Sequence, residues 1–217
     1  MKPPMNLLAR TLFLVITISS TIVDAGSPDV LEKRSISAAV YDDLFFYYKY
    51  ASSAYLITCA KPNGNTLVSR FDSSFSDTQG FIARDDRKKE IVVSFRGSNS
   101  PEDFLIDGLV GLTPFNMTNI PIPPGVMVNE GFYTAWKSVA AEVISNVRKQ
   151  LSTNPGYSVV TTGHALGGAL SSLAGITLKE VLTNTLVRMY TYGQPRTGNK
   201  AYADWVDRTF ASTNLFR

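Results

Sequence analysis

One segment of the sequence could carry nucleophilic chemistry, namely residues 162–168 (TGHALGG). Its spacing is that of the G-x-S-x-G nucleophile elbow, in which the middle residue occupies a strained turn between a strand and a helix. Both glycines, which such close packing requires, are present. The middle residue, however, is Ala165, whose methyl group can neither attack a carbonyl carbon nor be activated by a base. The pattern alone is weak, but it excludes a phosphate-binding loop, since it has neither G-x-G-x-x-G nor Gly-Lys-Ser/Thr.

Neighbouring polar residues do not replace the missing hydroxyl. Ser171 and Ser172 lie a turn or more into the helix predicted to follow the elbow. The chain contains one histidine, His164, which is adjacent in sequence to Ala165. Its side chain is expected to point away from the place of a general base, so we interpret it as a structural, hydrogen-bonded histidine. We find no cluster of His, Cys, Asp or Glu that predicts a metal site.

The elements that must position this segment alternate between helix and strand. Apolar residues at three- and four-residue steps predict helices over 35–55, 131–151, 166–179 and 199–208. Short runs rich in β-branched and apolar residues predict strands over 80–84, 91–95, 157–162 and 186–192. This alternation, in a chain of 217 residues, predicts one α/β domain with a mostly parallel, doubly wound sheet.

The start of the chain is predicted to be an export signal rather than part of the domain. Basic residues in the first ten positions precede a mostly apolar run over 11–23, which is too short to span about 30 Å of hydrocarbon. A signal peptide over residues 1–25 is therefore favoured over a transmembrane helix, and we expect a secreted, extracellular protein. Lys33 and Arg34 then mark either cleavage of a pro-segment over 26–34 or a solvated charge pair, which leaves residues 35–217 as the domain.

Composition adds three further constraints. The formal net charge of +3 is too small to indicate nucleic acid or an anionic membrane as a partner. Asn116, Met117 and Thr118 form an N-glycosylation sequon, which agrees with export, although such triplets are common by chance. Cys59 is the only cysteine. It is either a small buried hydrophobe or half of a disulfide whose partner is not in this chain.

Four segments together resemble the fungal class 3 lipases, a family related to feruloyl esterases. They are residues 93–98 (VSFRGS), 129–132 (NEGF), the elbow, and 192–199 (YGQPRTGN), in the family's order and spacing. The resemblance covers the chain from about residue 80 to its end. It implies an α/β-hydrolase fold, a carboxylic ester or lipid such as a triacylglycerol as substrate, and no cofactor. It leaves the particular ester and the oligomeric state open.

The resemblance also implies roles for individual residues. Ser98 matches the family's oxyanion-hole residue, and Leu166 matches the residue whose backbone N–H is the second oxyanion donor. Residues 99–110 match the lid, a short helix that covers the cleft in water and meets lipid at a lipid–water interface. Phe104, Leu105 and Leu109 would form its apolar, substrate-facing side. An ordinary amphipathic helix packed on the core is the alternative.

The family's acid and histidine follow the YGQPRTGN segment, and the chain stops at Arg217 before either. The resemblance therefore predicts an α/β-hydrolase domain that is truncated at its C-terminus and inactive as written. Three interpretations stay open: an incomplete ester hydrolase, a non-catalytic lipid-binding relative, and a deliberate serine-to-alanine change. The transcript beyond the codon for Arg217 would separate the first two.

Overall fold

The computed structural model describes residues 36–98 and 111–217. The predicted signal peptide and pro-segment lie outside the described residues, as do the predicted lid residues Phe104, Leu105 and Leu109. Residues from Ser37 onward belong to one compact unit. Within the described ranges, no helix is both long and apolar enough to cross a membrane.

Four α-helices, one short 3-10 helix (Pro62–Gly64) and eight strands make up the described chain. The helices are α1 (Ala38–Ser53), α2 (Glu130–Thr153), α3 (Leu166–Val181) and α4 (Lys200–Asn214). The strands are β1 (Thr66–Ser73), β2 (Thr78–Asp85), β3 (Glu90–Phe95), β4 (Leu112–Pro114), β5 (Met127–Asn129), β6 (Ser158–His164), β7 (Val187–Tyr192) and β8 (Leu215–Phe216). The predicted helices and strands are thus confirmed, with ends that differ by a few residues. Strand β1 and the short strands β4, β5 and β8 were not predicted from sequence.

The central sheet has six strands in the order β1-β2-β3-β6-β7-β8. Strands β3, β6, β7 and β8 are parallel, whereas β1 and β2 form an antiparallel extension beside β3. The mostly parallel sheet predicted from the alternation of elements is therefore confirmed. Its carboxyl edge, where the parallel strands β3, β6 and β7 end, is where the predicted elbow lies. In open α/β sheets that edge is where ligands bind.

Helices cover both faces of the sheet, as the doubly wound prediction requires. Of the described helices, α1 covers one face, where Tyr47 and Tyr50 are fully buried against β2, β3, β6 and β7. Helices α2, α3 and α4 cover the other face around the larger core, which contains Trp136 and Leu173. Asparagine side chains begin two of these helices: Asn129 accepts from the Phe132 N–H at 3.0 Å, and Asn199 accepts from the Tyr202 N–H at 3.0 Å.

Candidate functional site

The turn between β6 and α3 has the backbone of a nucleophile elbow. Ala165 is the single residue between the two elements, with φ 52° and ψ −125°. A non-glycine residue at this φ and ψ stores strain of about 1–3 kcal/mol, which the surrounding structure must hold. The elbow predicted from the glycine spacing is therefore formed with alanine at its centre.

The two glycines of the motif are required by contact, because strand and helix touch through their backbones. A Cβ on Gly163 would overlap the backbone of Gly167, and a Cβ on Gly167 would overlap the carbonyl oxygen of Phe95 at the end of β3. Two backbone hydrogen bonds of Ala165 also hold the turn in place. The Ala165 N–H donates to the Tyr192 carbonyl at 2.9 Å, and the Gly168 N–H donates to the Ala165 carbonyl at 2.8 Å.

The two predicted oxyanion residues lie on segments that meet at this turn. Leu166 is the first residue of α3, where backbone N–H groups have no partner within the helix. Ser98 follows β3, and its neighbour Gly97 packs so closely on the elbow that an added Cβ would lie 2.7 Å from the His164 carbonyl oxygen. The structure places Gly97 and Leu166 at the elbow. The predicted oxyanion roles of Ser98 and Leu166 stay predictions.

Tyr55, just after α1, is a residue of the site that sequence reasoning did not find. Its hydroxyl lies 2.9 Å from Nδ1 of His164, and an added Cβ on Gly97 would overlap the same hydroxyl. Tyr55 therefore bridges the segment that carries Ser98 and the elbow. Burial raises the pKa of Tyr55, so its hydroxyl is protonated at neutral pH. His164 itself is exposed and hydrogen-bonded, in agreement with its interpretation as a structural histidine.

Two cavities are lined by residues of the carboxyl edge of the sheet, and one of them borders the elbow. One of about 370 Å³ is lined by Leu166, by the first turns of α2 and by the β1–β2 turn with Phe75. A larger one of about 420 Å³ lies beyond the end of β7 and is lined by Gly193, Gln194, Tyr202 and neighbouring residues. Its wall contains Thr191, 1% exposed, whose hydroxyl has no partner in the described chain. Both volumes lie within or near the range of small-molecule sites.

Within the described ranges of the chain, this edge offers backbone donors, apolar surface and the hydroxyl of Tyr55, but no hydroxyl at the centre of the elbow. Ala165 offers no nucleophile, and the one histidine of the chain is engaged with Tyr55. Among the described residues, no group of three His, Cys, Asp or Glu side chains could hold a metal ion. Unpaired backbone N–H groups at a helix start are of the kind that polarise a carbonyl oxygen. In the part of the chain that the structure describes, the imidazole at the elbow is hydrogen-bonded to Tyr55 and is not free to act as a general base.

Comparison with known proteins places the chain among lipases. The family model for lipase (class 3) matches residues 92–217, which is more than half of the chain. A secreted mono- and diacylglycerol lipase A from Penicillium cyclopium is 31% identical over 209 residues, which cover 88% of this chain and 66% of that protein. The chain thus spans just under two thirds of that relative, and 39% of a lipase from Rhizopus niveus that is 34% identical over 158 residues.

Solved structures agree with the sequence comparison. A triacylglycerol lipase from Penicillium expansum matches with a TM-score of 0.76 and 30% identity, over 79% of this chain and 67% of that one. A lipase from Rhizopus microsporus var. chinensis matches with a TM-score of 0.73 and 33% identity, over 81% of this chain and 64% of that one. These structures share the α/β-hydrolase fold of the sheet and helices described above.

Proposed function

Because the chain belongs to the class 3 lipase family, we propose that it binds carboxylic esters of long-chain acyl groups at the elbow and does not hydrolyse them. The observation that carries the proposal is Ala165 in a fully formed elbow. The strand-turn-helix backbone of the elbow is formed, which supports the predicted oxyanion donors, whereas position 165 has no hydroxyl that could attack a carbonyl carbon. The relatives are named as mono- and diacylglycerol or triacylglycerol lipases, which supports a lipid ester as ligand.

Binding without turnover follows from what an elbow contributes to catalysis. Oxyanion donors stabilise charge on the carbonyl oxygen, and each is worth about 2.7–4 kcal/mol in the transition state. They also contact the neutral carbonyl in the ground state, although more weakly. Covalent catalysis additionally needs a nucleophile and a base that takes its proton. With Ala165 and one engaged histidine, only the first contribution is available.

A lipid–water interface is the proposed place of binding, and exposed apolar side chains at the carboxyl edge support it. Ile57 is 92% exposed and lies beside Arg96 at the end of β3. Phe75 is 84% exposed, in the β1–β2 turn that borders the cavity beside Leu166. Leu112 is 46% exposed and pairs with Asn129 at the start of α2. Isolated exposed apolar residues are common, but several around one site indicate contact with an apolar phase.

Hydrolysis and binding are measured separately to test the proposal. We expect the purified chain to show no turnover of short-chain aryl esters or emulsified triacylglycerol, and to bind a fluorescent long-chain acyl ester. We expect Ala165→Ser to give no turnover in this chain, because no free histidine is available to activate it. Turnover by the unaltered chain that persists through purification and co-elutes with the protein would overturn the proposal, and so would failure to bind any acyl ester.

Substitutions of exposed apolar residues test whether the protein adsorbs to lipid through the carboxyl edge. Ile57→Asp and Phe75→Asp should each reduce adsorption to phosphatidylcholine vesicles, because both remove an apolar side chain from the carboxyl edge. Leu186→Asp is the control, since Leu186 is 50% exposed but lies just before β7, at the opposite edge of the sheet. Equal effects of all three substitutions would contradict docking through the carboxyl edge.

An ester hydrolase is the second candidate function, and the retained elbow strain is the observation that favours it. The positive φ at position 165 is the backbone conformation that presents a nucleophile in this motif. Activity would require a nucleophile, an acid and a base that the described residues do not bring together at the elbow. Labelling of the Ala165→Ser variant by a fluorophosphonate separates the candidates, because a reactive serine is modified and an unactivated one is not.

We also propose that the protein is extracellular. The predicted export signal over residues 1–25 and the relatives named as secreted lipases support this localisation. The protein would then bind its lipid ligand outside the cell.

A further inference from the structure

We propose that Asn116 is an N-glycosylation site and that the exported protein carries one N-linked oligosaccharide there. The sequence contains a single N-x-S/T triplet, formed by Asn116, Met117 and Thr118. The triplet alone is a weak signal. What makes it a site is the way the chain between β4 and β5 presents it.

The asparagine and the threonine of the sequon are both exposed, whereas the residue before each of them is anchored in the core. Phe115 is 3% exposed and its ring packs against Tyr133 and Trp205, with centroids 5.3 and 5.9 Å apart. Met117 is half-buried against the same core. Asn116 and Thr118 lie between and after these anchors and are both exposed. Burial therefore alternates with exposure from residue 115 to residue 118, and the side chains at 116 and 118 are open to solvent.

The structure holds the main chain of Asn116 and leaves its side chain available. The Asn116 N–H donates to the Tyr133 hydroxyl at 3.2 Å, and that hydroxyl donates in turn to the Asn116 carbonyl. The side-chain amide makes no hydrogen bond with the residues that the structure describes. Residues 117–120 form a turn, in which the Ile120 N–H donates to the Met117 carbonyl at 3.3 Å and Asn119 has φ 62°. An oligosaccharide on Asn116 therefore projects into solvent without displacing a packed group.

The modification is an ordinary transfer to an amide. The side-chain nitrogen of Asn116 forms a bond to C1 of the first sugar of a polyisoprenyl pyrophosphate-linked oligosaccharide. The bond between C1 and the phosphate oxygen breaks, the polyisoprenyl pyrophosphate leaves, and the amide loses one proton. The transferase and its donor are in the lumen of the secretory pathway. The proposal therefore rests on export of the chain, and does not depend on ester binding.

Expression in yeast with the chain's own N-terminus tests the proposal. We expect a single step in gel mobility that peptide-N-glycosidase reverses, and a mass spectrum that assigns the sugar to the peptide containing Asn116. Asn116→Gln and Thr118→Ala should each abolish the step, whereas Thr118→Ser should retain it. Asn119→Gln is the matched control, because Asn119 is three residues away, exposed and outside the sequon.

A parallel expression separates failure of export from failure of the site. An established secretion leader is placed before Gly26, and cell lysate and medium are both analysed. Glycan with the leader but not with the native N-terminus would support the site and contradict the predicted export signal. Absence of glycan in both expressions, with the leader shown to be removed, would overturn the proposal.

Discussion

At the amino ends of its parallel strands the protein buries a charged pair, Glu90 and Arg188, whereas at the carboxyl ends it places glycines and a strained alanine. Glu90 is 3% exposed at the start of β3, and Arg188 of β7 forms an ion pair with it. The Tyr47 hydroxyl of α1 bonds to both Glu90 oxygens, at 2.9 and 2.8 Å, and accepts from Arg188 at 2.9 Å. Among the described residues, no buried ion pair lies beside Ala165.

The difference teaches that the buried carboxylates of the described chain, Asp85 and Glu90, lie at the edge of the sheet opposite the elbow. Burial raises the pKa of Glu90 despite the opposing effect of Arg188, and burial raises the pKa of Tyr190 to about 12. Perturbed groups of this kind are often signs of an active site, yet these hold α1 to the sheet at the edge away from the elbow. The elbow edge is recognised instead by backbone strain and by contacts that only glycine permits.

The largest expected loss of stability is at the amino edge, when a buried charge there is left without its partner. Arg188→Met removes the cation and leaves Glu90 buried with Tyr47, which should lower the free energy of unfolding by about 3–5 kcal/mol at pH 7. Urea denaturation followed by tryptophan fluorescence measures this. A loss below 1 kcal/mol would show that the pair is not effectively buried.

The pH dependence of that loss has a definite sign. A carboxyl group whose folded pKa is raised stabilises the fold most below its unfolded pKa, and the contribution declines as pH rises through the folded pKa. Without Arg188 the pKa of Glu90 should rise further. The variant should therefore regain stability relative to the unaltered protein as pH falls from 7 toward about 4.5, the ordinary value. Arg188→Met combined with Glu90→Gln is the control, and it should show little of this dependence.

At the carboxyl edge, a single added methyl group tests the close contact between strand and helix. Gly163→Ala should lower the free energy of unfolding by about 3 kcal/mol, the upper end of the overpacking range, because the new Cβ meets backbone atoms of Gly167 that cannot rotate away. Gly111→Ala is the matched control, since a Cβ there meets no atom within 4 Å. Its effect should stay within about 0.5 kcal/mol.

The elements of this fold were largely predictable because their periodicities are local. The apolar repeat of α2 and the β-branched run of β6 each indicate their element within one stretch of sequence. Strand β1 was missed because its residues are mostly half-buried and polar, so that pairing with β2, rather than composition, decides its conformation. The strands β4, β5 and β8 have two or three residues, too few for any periodic signal.

The elbow was predictable from sequence because its signal is local, whereas the contact of Tyr55 with the elbow was not, because it joins distant parts of the chain. The glycines around Ala165 are required for close backbone contact, and the whole pattern lies within seven consecutive residues. The contact between Tyr55 and His164 joins positions 109 residues apart. Nothing in the sequence near Tyr55 distinguishes it from the other tyrosines of that region, because its role arises only when α1 is packed on the sheet.

Relief of the elbow strain should produce a smaller effect of opposite sign. Ala165→Gly removes the Cβ from a backbone at φ 52° and ψ −125°, which recovers part of the stored 1–3 kcal/mol. Glycine's greater freedom in the unfolded chain offsets about 0.5–1 kcal/mol of that gain. The net expectation is a stabilisation of about 1 kcal/mol, measured by thermal denaturation. Ala165→Ser is the control and should be neutral, since serine keeps the Cβ and the strain.

An effect of about the same size is expected at the contact that joins the elbow to the segment carrying Ser98. Tyr55→Phe removes the hydroxyl that lies 2.9 Å from His164 Nδ1 and keeps the ring beside Gly97, at a cost of about 0.5–1.5 kcal/mol for a hydrogen bond. The ¹⁵N resonance of His164 Nδ1 should shift, a change that a general loss of packing would not produce in a folded variant. Tyr48→Phe is the control, because Tyr48 is 43% exposed and its hydroxyl bonds to no other described residue. If both variants leave the imidazole resonances unchanged, Tyr55 does not brace the elbow, and the strain at Ala165 is held by the backbone contacts of β3, β6 and α3 alone.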